Sequence, residues 1–208
     1  MDLDIKIRQL EEKDADDFCE LILNMYSHLE NLEWFSPMPF DKENVIGMIN
    51  KPRFYIIGAF VNDKLVGVSS LDYKCGKLIG KIEFPKECNT EKLVEIGFNL
   101  VHFDFRGNKI MQKLIDYLLE YLKQNDFEWV FTKVHKDNIA SLKSCLNKGF
   151  NPRIDYKKPV EKASFESLSS ESFFSEIGKK NAKTTLKRFE NSEEIVVDYK
   201  ILLKKLEK

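Results

Sequence analysis

Apolar and polar residues alternate at two different periods in the first part of the chain, and each period predicts a different element. Residues 5–10 alternate one by one, which indicates an opening strand. After Asp14 the apolar positions recur every three or four residues, which predicts an amphipathic helix capped by Asp14. The prolines of residues 34–40 predict a loop, and a short second helix is expected over residues 41–50.

The middle of the chain combines strand patterns with one clear helix. Residues 54–61 and 64–73 are β-rich runs, and Asn62-Asp63 between them predicts a tight hairpin turn. The further elements that we expect are a short strand or loop over 76–85, strands over 94–101, 127–135 and 195–203, and helices over 108–124 and 138–148.

The order strand, helix, strand, helix over residues 94–148 is typical of a βαβ unit, in which two neighbouring strands run parallel. Gly149 is expected to end the second helix in a left-handed conformation. The Ser- and Lys-rich stretch 160–194 keeps a loosely helical spacing of apolar residues. Because this stretch is too short for a core of its own, we interpret it as a helical insertion in a single domain over residues 1–208.

Composition narrows the function classes. Lys and Arg total 33 against 34 Asp and Glu, so the overall charge gives no indication of binding to nucleic acid or to an anionic membrane. No apolar run approaches the ~20 residues of a membrane helix, and the acidic N-terminus is unlike a signal peptide. The four cysteines and three histidines show neither a Cys-x-x-Cys pair nor metal-ligand spacing. We therefore expect a cytoplasmic protein with free thiols and no metal site.

The segment 95–111 gives the clearest indication of chemistry. A strand ends, the chain turns through residues 102–107, and a helix begins near Asn108. The first N–H groups of a helix lack partners and carry partial positive charge, so they bind phosphates. Arg106 adds a cation, and Gly107 allows close approach of an anion or a backbone conformation closed to other residues. Taken alone, an ordinary turn with a solvated arginine is the alternative.

This turn resembles the cofactor-binding motif of the GNAT N-acetyltransferase superfamily, in which a strand leads through His-x-Asp-x-Arg-Gly into a helix. The matching residues are His102, Asp104, Arg106 and Gly107. Residues 138–150 resemble the second motif of the family, in which an Asn opens a helix that closes with Gly-Phe. The segment Asp63-Lys-Leu-Val-Gly67 and the last strand are also similar to the family.

The resemblance implies both a fold and a function. The fold is an α/β (α+β) GNAT-like domain, with a central mixed, mostly antiparallel twisted sheet of about six or seven strands and helices on both faces. The function is transfer of an acetyl group from acetyl-CoA to a primary amine by direct attack, without a covalent enzyme intermediate. The acceptor, a small molecule or a peptide, is not identified by the sequence. A non-catalytic acyl-CoA-binding or regulatory module is the alternative.

The resemblance also implies how the cofactor is held. The residues expected around the pyrophosphate of CoA are Arg106, Gly107, Asn108, Lys109, Ile110 and Met111. The backbone of Leu100 and Val101 is expected to pair with the pantetheine arm as an added strand would. Asn138 is expected to hydrogen-bond that arm, and plain N-capping is an alternative that can hold at the same time. Ser141 is a further candidate contact.

Some positions depart from the family pattern. Lys109 stands where the family usually has Gly, and Met111 stands where the family usually has Gly or Ala. A residue in the first turn of a helix has negative φ, so we expect Lys109 to be sterically allowed. Weaker or altered CoA binding is the expected consequence of these departures. Cys145 stands seven residues after Asn138, where many members carry a Tyr that protonates the leaving thiolate. The thiol of Cys145 is a candidate acid, and a buried structural thiol, with water as the proton source, is the alternative.

Glu95 is the candidate base, because the family often places a carboxylate at this position and an apolar cleft raises its pKa. A surface ion pair on an edge strand is the alternative role for Glu95, and Glu83 is the second candidate base. Trp34 and Phe35 fall where the family forms its acceptor pocket. A packed lid or a contact in a homodimer is the alternative for this apolar loop.

Overall fold

The fold is built on one mixed sheet, seen here in a computed structural model that describes residues 3–35, 38, 40–74, 82–162 and 176–207. The strands within these ranges are β1 (Lys6–Gln9), β2 (Phe54–Val61), β3 (Lys64–Asp72), β4 (Leu93–Val101), β5 (Trp129–His135), β6 (Asn151–Glu161) and β7 (Glu194–Lys205). The α-helices are α1 (Ala15–His28), α2 (Lys42–Ile49), α3 (Ile110–Gln124), α4 (Ile139–Asn147) and α5 (Glu176–Lys187).

The strands lie in the order β1-β2-β3-β4-β5-β7-β6, and every neighbouring pair is antiparallel except β4 with β5. The predicted mixed, mostly antiparallel sheet is therefore confirmed, and β4-α3-β5 is the predicted βαβ unit. The β4–β5 ladder pairs Leu93–Glu95 with Trp129–Phe131 and then ends, although both strands continue. A gap consequently opens between the two strands beyond Glu95.

Apolar side chains cover both faces of the sheet, as predicted. Residues of α1 and α2 pack on one face, and residues of α3 and the end of α4 pack on the other. The buried positions of α3 keep the spacing of an amphipathic helix: Ile110, Leu114, Ile115, Leu118, Leu119 and Leu122. This packing fixes α3, and with it the turn that precedes the helix, against the sheet.

The predicted turns have the expected backbone. Asn62 and Asp63 have φ values of 49° and 61°, as a tight hairpin turn requires, and Gly149 ends α4 with φ 76°. Asp14 is the N-cap residue of α1, but its side chain makes no capping hydrogen bond. Its carboxylate instead accepts hydrogen bonds from Arg8 at 2.6 and 2.7 Å and from the backbone N–H of Glu11 at 2.8 Å.

Strand β6 was not expected from the sequence. It contains Pro152 and Pro159, which remove ladder donors, but it lies at the edge of the sheet and pairs only with β7. An edge strand tolerates proline because its outer N–H groups need no partner in the sheet. Part of the expected helical insertion is present as α5, whereas residues 163–175 and most of the expected short element over 76–85 lie outside the described residues.

Gly67 in β3 lies against the start of α3. A Cβ atom at this position would be 2.8 Å from Cγ2 of Ile110 and 3.3 Å from the carbonyl oxygen of Leu100. Both neighbours are constrained, since Ile110 is the buried first residue of α3 and Leu100 belongs to β4. The absence of a side chain at Gly67 therefore allows the helix start to approach the sheet.

Overpacking predicts that Gly67→Ala lowers the free energy of unfolding by about 1–3 kcal/mol, measured by urea denaturation. Gly47 in α2 provides a matched control, because a Cβ atom there would have nothing within 4 Å. Gly47→Ala should raise the free energy of unfolding by about 0.5–1 kcal/mol. Changes of the same sign in both variants would contradict the packing argument.

Candidate functional site

Two cavities meet at the gap between β4 and β5. The first, of about 650 Å³, is lined by the start of α3 and by α4, and we call it the α3 cavity. The second, of about 530 Å³, is lined by residues of β4, β5 and β6, and we call it the β6 cavity. The residues that line both are Trp34, Phe35, Asn99, Asn138 and Ser141. The two cavities thus adjoin at the gap and form one cleft.

The start of α3 has the features of an anion site. No side chain caps the helix, and its first turn contains no acidic residue. Ile110 and Met111 of the first turn line the α3 cavity, together with Arg106 and Gly107. Unpaired N–H groups at a helix start attract negative charge, and a guanidinium beside them adds to that attraction. Asn108 does not line the cavity, and its side-chain amide donates to the carbonyl oxygen of Phe105 at 3.0 Å.

Lys109 corrects one expectation from the sequence. It has φ 59° and ψ 17°, which is left-handed, whereas a negative φ was expected. The difference arises because α3 begins at Ile110 rather than near Asn108, so that Lys109 is the N-cap residue and lies outside the first turn. Gly107 is also left-handed, with φ 82°. A left-handed conformation costs a residue with a side chain roughly 1–2 kcal/mol, which explains why glycine suits positions 107 and 109.

Among the residues that the structure describes, one edge of β4 has no strand partner along the α3 cavity. Leu100 and Val101 pair with Val68 and Gly67 of β3 on one side. On the other side the ladder with β5 ends at Glu95, and both residues line the α3 cavity. The backbone groups on this edge have the geometry that accepts an extended ligand as an added strand.

Asn138 and Ser141 lie at the junction of the two cavities. The side-chain oxygen of Asn138 caps α4 by accepting from the backbone N–H of Ser141 at 3.1 Å. Capping uses only the carbonyl oxygen, so the amide NH₂ group of Asn138 remains a donor. Both expected roles of Asn138 are therefore compatible with its position.

Cys145 lies in the wall of the α3 cavity, where its side chain is buried. Burial raises the pKa of its thiol to about 11. The group therefore stays protonated at neutral pH. It also packs in the apolar cluster that includes Leu114 and Phe150, so it contributes to the core whatever else it does.

Glu95 lines the β6 cavity, and its side chain is 10% exposed. Its carboxylate lies 2.8 Å from Nζ of Lys133. Burial raises the pKa of Glu95, and the charge of Lys133 opposes that rise. The alternative of a surface pair on an edge strand is wrong, because β4 is an interior strand and the pair is largely buried. Glu83 is exposed and lines neither cavity.

The β6 cavity also contains charged residues that the sequence analysis did not identify: Arg53, Asp72, Lys74, Lys133 and Lys158. The guanidinium of Arg53 donates to Asp72 at 2.6 Å through Nε. No local pattern marks these residues, because they come from the ends of β2 and β3 and from β5 and β6. They are brought together only by the order of strands in the sheet.

The loop that carries Trp34 and Phe35 covers the junction of the two cavities, since both residues line both of them. Buried contacts hold this loop in place. The backbone N–H of Met38 donates to the hydroxyl of Tyr26 at 2.7 Å. Nε1 of Trp34 is buried and has no hydrogen-bond partner among the residues that the structure describes.

Comparison with known proteins gives a family match. The family model described as Acetyltransferase (GNAT) family matches residues 15–150. No curated protein matches the chain. Within the described ranges, no helix is long and apolar enough to cross a membrane, and no group of at least three His, Cys, Asp or Glu residues is placed to hold a metal ion.

Solved structures share the fold at low identity. An N-acetyltransferase from Staphylococcus aureus Mu50 is 12% identical, with a TM-score of 0.63 over 98% of this chain and 99% of that chain. The yncA structure from Salmonella typhimurium, described as an acetyltransferase with its cofactor acetyl-CoA, is 13% identical, with a TM-score of 0.64 over 99% and 95%. The PaiA N-acetyltransferase from Thermoplasma acidophilum in complex with coenzyme A is 17% identical, with a TM-score of 0.56 over 73% and 92%.

The left-handed backbone of Lys109 predicts that Lys109→Gly raises the free energy of unfolding by about 1 kcal/mol, measured by urea denaturation. Lys113 in the interior of α3 is a matched control, since Lys113→Gly should lower the free energy of unfolding by about 1 kcal/mol. A loss of stability in Lys109→Gly as large as that in the control would show that residue 109 is not left-handed.

Proposed function

The chain belongs to the GNAT acetyltransferase family, and we propose that it transfers an acetyl group from acetyl-CoA to a primary amine. The observation that carries this proposal is the continuous cleft, in which an uncapped helix start and an open strand edge share one cavity with Asn138. The acetyl-CoA and the coenzyme A in the two similar structures support the choice of cofactor.

The α3 cavity fits acetyl-CoA in the donors around the start of α3. The N–H groups at the start of α3 and the guanidinium of Arg106 would hold the pyrophosphate. The free backbone edge of Leu100 and Val101 would hold the pantetheine arm, with the amide NH₂ of Asn138 and the neighbouring Ser141 as further contacts. These contacts would direct the thioester end towards the junction with the β6 cavity.

The β6 cavity would hold the acceptor amine. An ammonium has no lone pair, so it must lose a proton before it attacks, and Glu95 is the carboxylate of this cavity that we propose as the base. Burial raises the pKa of Glu95 and so makes it a stronger base than an exposed carboxylate, while the charge of Lys133 opposes that rise and favours the ionised form. Bound acetyl-CoA supplies the acetyl group, as a C–N bond forms, the C–S bond breaks and the sulfur leaves as a thiolate.

Cys145 is our candidate for returning a proton to that thiolate. Its position in the cavity wall supports this role, and its pKa of about 11 keeps the proton available. An ordinary thiol has a pKa of about 8.5, so proton transfer from Cys145 to the thiolate runs uphill. Its contribution should therefore fall well short of the 10²–10⁴-fold typical of a matched acid.

We expect Cys145→Ser to lower kcat by about tenfold, because a serine hydroxyl keeps the size of the side chain but is a far weaker acid than a thiol. The measurement is release of CoA under saturating acetyl-CoA and amine. An unchanged kcat, with the same melting temperature, would assign the proton to water and leave Cys145 a core residue.

Arg106→Glu should weaken CoA binding by roughly 10- to 100-fold, because it replaces a cation beside the pyrophosphate by an anion. Calorimetric titration with CoA measures the affinity. Lys123→Glu, at the other end of α3, makes the same change of charge on an exposed residue away from both cavities. CoA affinity should be retained there, and equal affinity in the two variants would contradict the proposed phosphate site.

Glu95→Gln should lower kcat by roughly 10²–10⁴-fold, because it removes the base. Lys133→Gln breaks the same ion pair but leaves the carboxylate, so it is the matched control. In the wild type, kcat/KM should fall as the pH drops through the pKa of Glu95, which burial raises above its usual 4.5.

Loss of the charge of Lys133 removes an interaction that lowers the pKa of Glu95. The acidic limb of the pH profile should therefore move to higher pH in Lys133→Gln and be absent in Glu95→Gln. An equal loss of kcat in both variants, without this movement, would indicate that the pair is only structural.

A cytoplasmic location and a single domain over residues 1–208 are the proposals that the cysteine pattern and the length of the chain support. A homodimer contact through the apolar loop is an alternative to its role in the acceptor cavity. Light scattering at several protein concentrations would detect such a dimer.

A further inference from the structure

The wall of the β6 cavity contains more cations than carboxylates. Its carboxylates, among the residues that the structure describes, are Asp72 and Glu95. Its cations are Arg53, Lys74, Lys133 and Lys158. Among the described residues, the wall therefore has two more cations than carboxylates, although the chain as a whole has a formal net charge of −1.

The two carboxylates are already close to two of the cations. Asp72 accepts from Arg53, and Glu95 is paired with Lys133 at 2.8 Å. The cations of the wall outside these two pairs are Lys74 and Lys158. Lys74 is exposed, whereas Lys158 is half-buried and makes contacts of its own within the fold.

Lys158 lies within electrostatic range of the proposed base and its partner. Burial is the largest influence on the pKa of Lys158 and lowers it. The like charge of Lys133 lowers this pKa further, and the charge of Glu95 raises it. Two ammonium groups thus share the surroundings of one carboxylate. An added anion would favour the charged form of Lys158.

We propose that the acceptor is a small primary amine that also carries an anionic group, with its amino group near Glu95 and its anion near Lys158. This inference rests on the proposed function. A polyamine would add positive charge to a wall that already has more cations than carboxylates. An amino acid instead brings an amino group for Glu95 and a carboxylate for Lys158. The volume of about 530 Å³ is in the range of small-molecule sites.

Strand β6 provides a control beside Lys158. Side chains alternate along a strand, so Lys157 and Lys158 point to opposite faces of the sheet. Lys158 lines the cavity together with Tyr156, whereas Lys157 is exposed and does not line it. Lys157→Gln and Lys158→Gln therefore remove the same charge from adjacent positions, and only the second changes the cavity.

The experiment compares amines in matched pairs, with and without the anion. L-Alanine is compared with L-alaninamide, L-glutamate with L-isoglutamine, and 2-aminoethyl phosphate with ethanolamine, with spermidine as the polycation. The wild type should use at least one anionic member with the higher kcat/KM. Lys158→Gln should lower kcat/KM for that substrate by about 10- to 100-fold, with less than a threefold change for its neutral partner.

For each amine, kcat/KM of the wild type is divided by kcat/KM of the variant. The intrinsic reactivity of the amine cancels in this ratio. Lys157→Gln should leave that ratio near one for both members of a pair. The alanine and glutamate pairs test a carboxylate as the anion, and the pair of 2-aminoethyl phosphate and ethanolamine tests a phosphate. Preference of the wild type for neutral amines or spermidine would overturn the inference, while the proposed function would stand.

Binding tests the inference without turnover. The melting temperature is measured with CoA and either N-acetyl-L-glutamate or N-acetyl-L-isoglutamine, in the wild type and in both lysine variants. The inference predicts stabilisation by the compound with the additional carboxylate, lost in Lys158→Gln and retained in Lys157→Gln. Equal shifts with both compounds, or no shift, would overturn it. Binding of CoA with no turnover of any amine would instead contradict the proposed function.

Discussion

The site depends on how little of β4 pairs with β5. The parallel ladder covers only residues 93–95 of β4, and then the two strands separate. Each strand is still held on its outer side, β4 by β3 and β5 by β7 along residues 129–135. Because these neighbours satisfy one edge of each strand, the strands can part without unfolding the sheet. The gap gives one cleft with a free backbone edge on one side and a charged wall on the other.

Burial and charge act in opposite directions at Glu95. A buried ion pair contributes little net stability, because desolvation offsets the attraction, but removing one partner leaves an uncompensated charge. The main effect of the Glu95–Lys133 pair is therefore on the pKa of the carboxylate. Burial raises the pKa and strengthens the base, while the charge of Lys133 limits the rise and favours the ionised form.

The sequence predicted the elements whose signal is local. Helix α3 and the Asn62-Asp63 turn follow from periodicity and turn chemistry. Arg106 and Glu95, proposed as site residues from the family resemblance, line the two cavities. Strand β6 was missed because its prolines and charges hide the strand pattern at a sheet edge. The charged wall was missed for a different reason. Arg53 and Lys158 are far apart in the chain, and only the strand order brings them to one cavity.

Lys109 illustrates how a small error in an element boundary changes a physical conclusion. A helix beginning near Asn108 would place Lys109 in its first turn with negative φ, whereas a start at Ile110 makes it a left-handed cap. Its side chain then has a steric cost that glycine avoids. Lys109 lines the α3 cavity with Arg106, so the same residue adds a second cation beside the helix start. At this position the chain combines weaker local stability with a stronger field for a diphosphate.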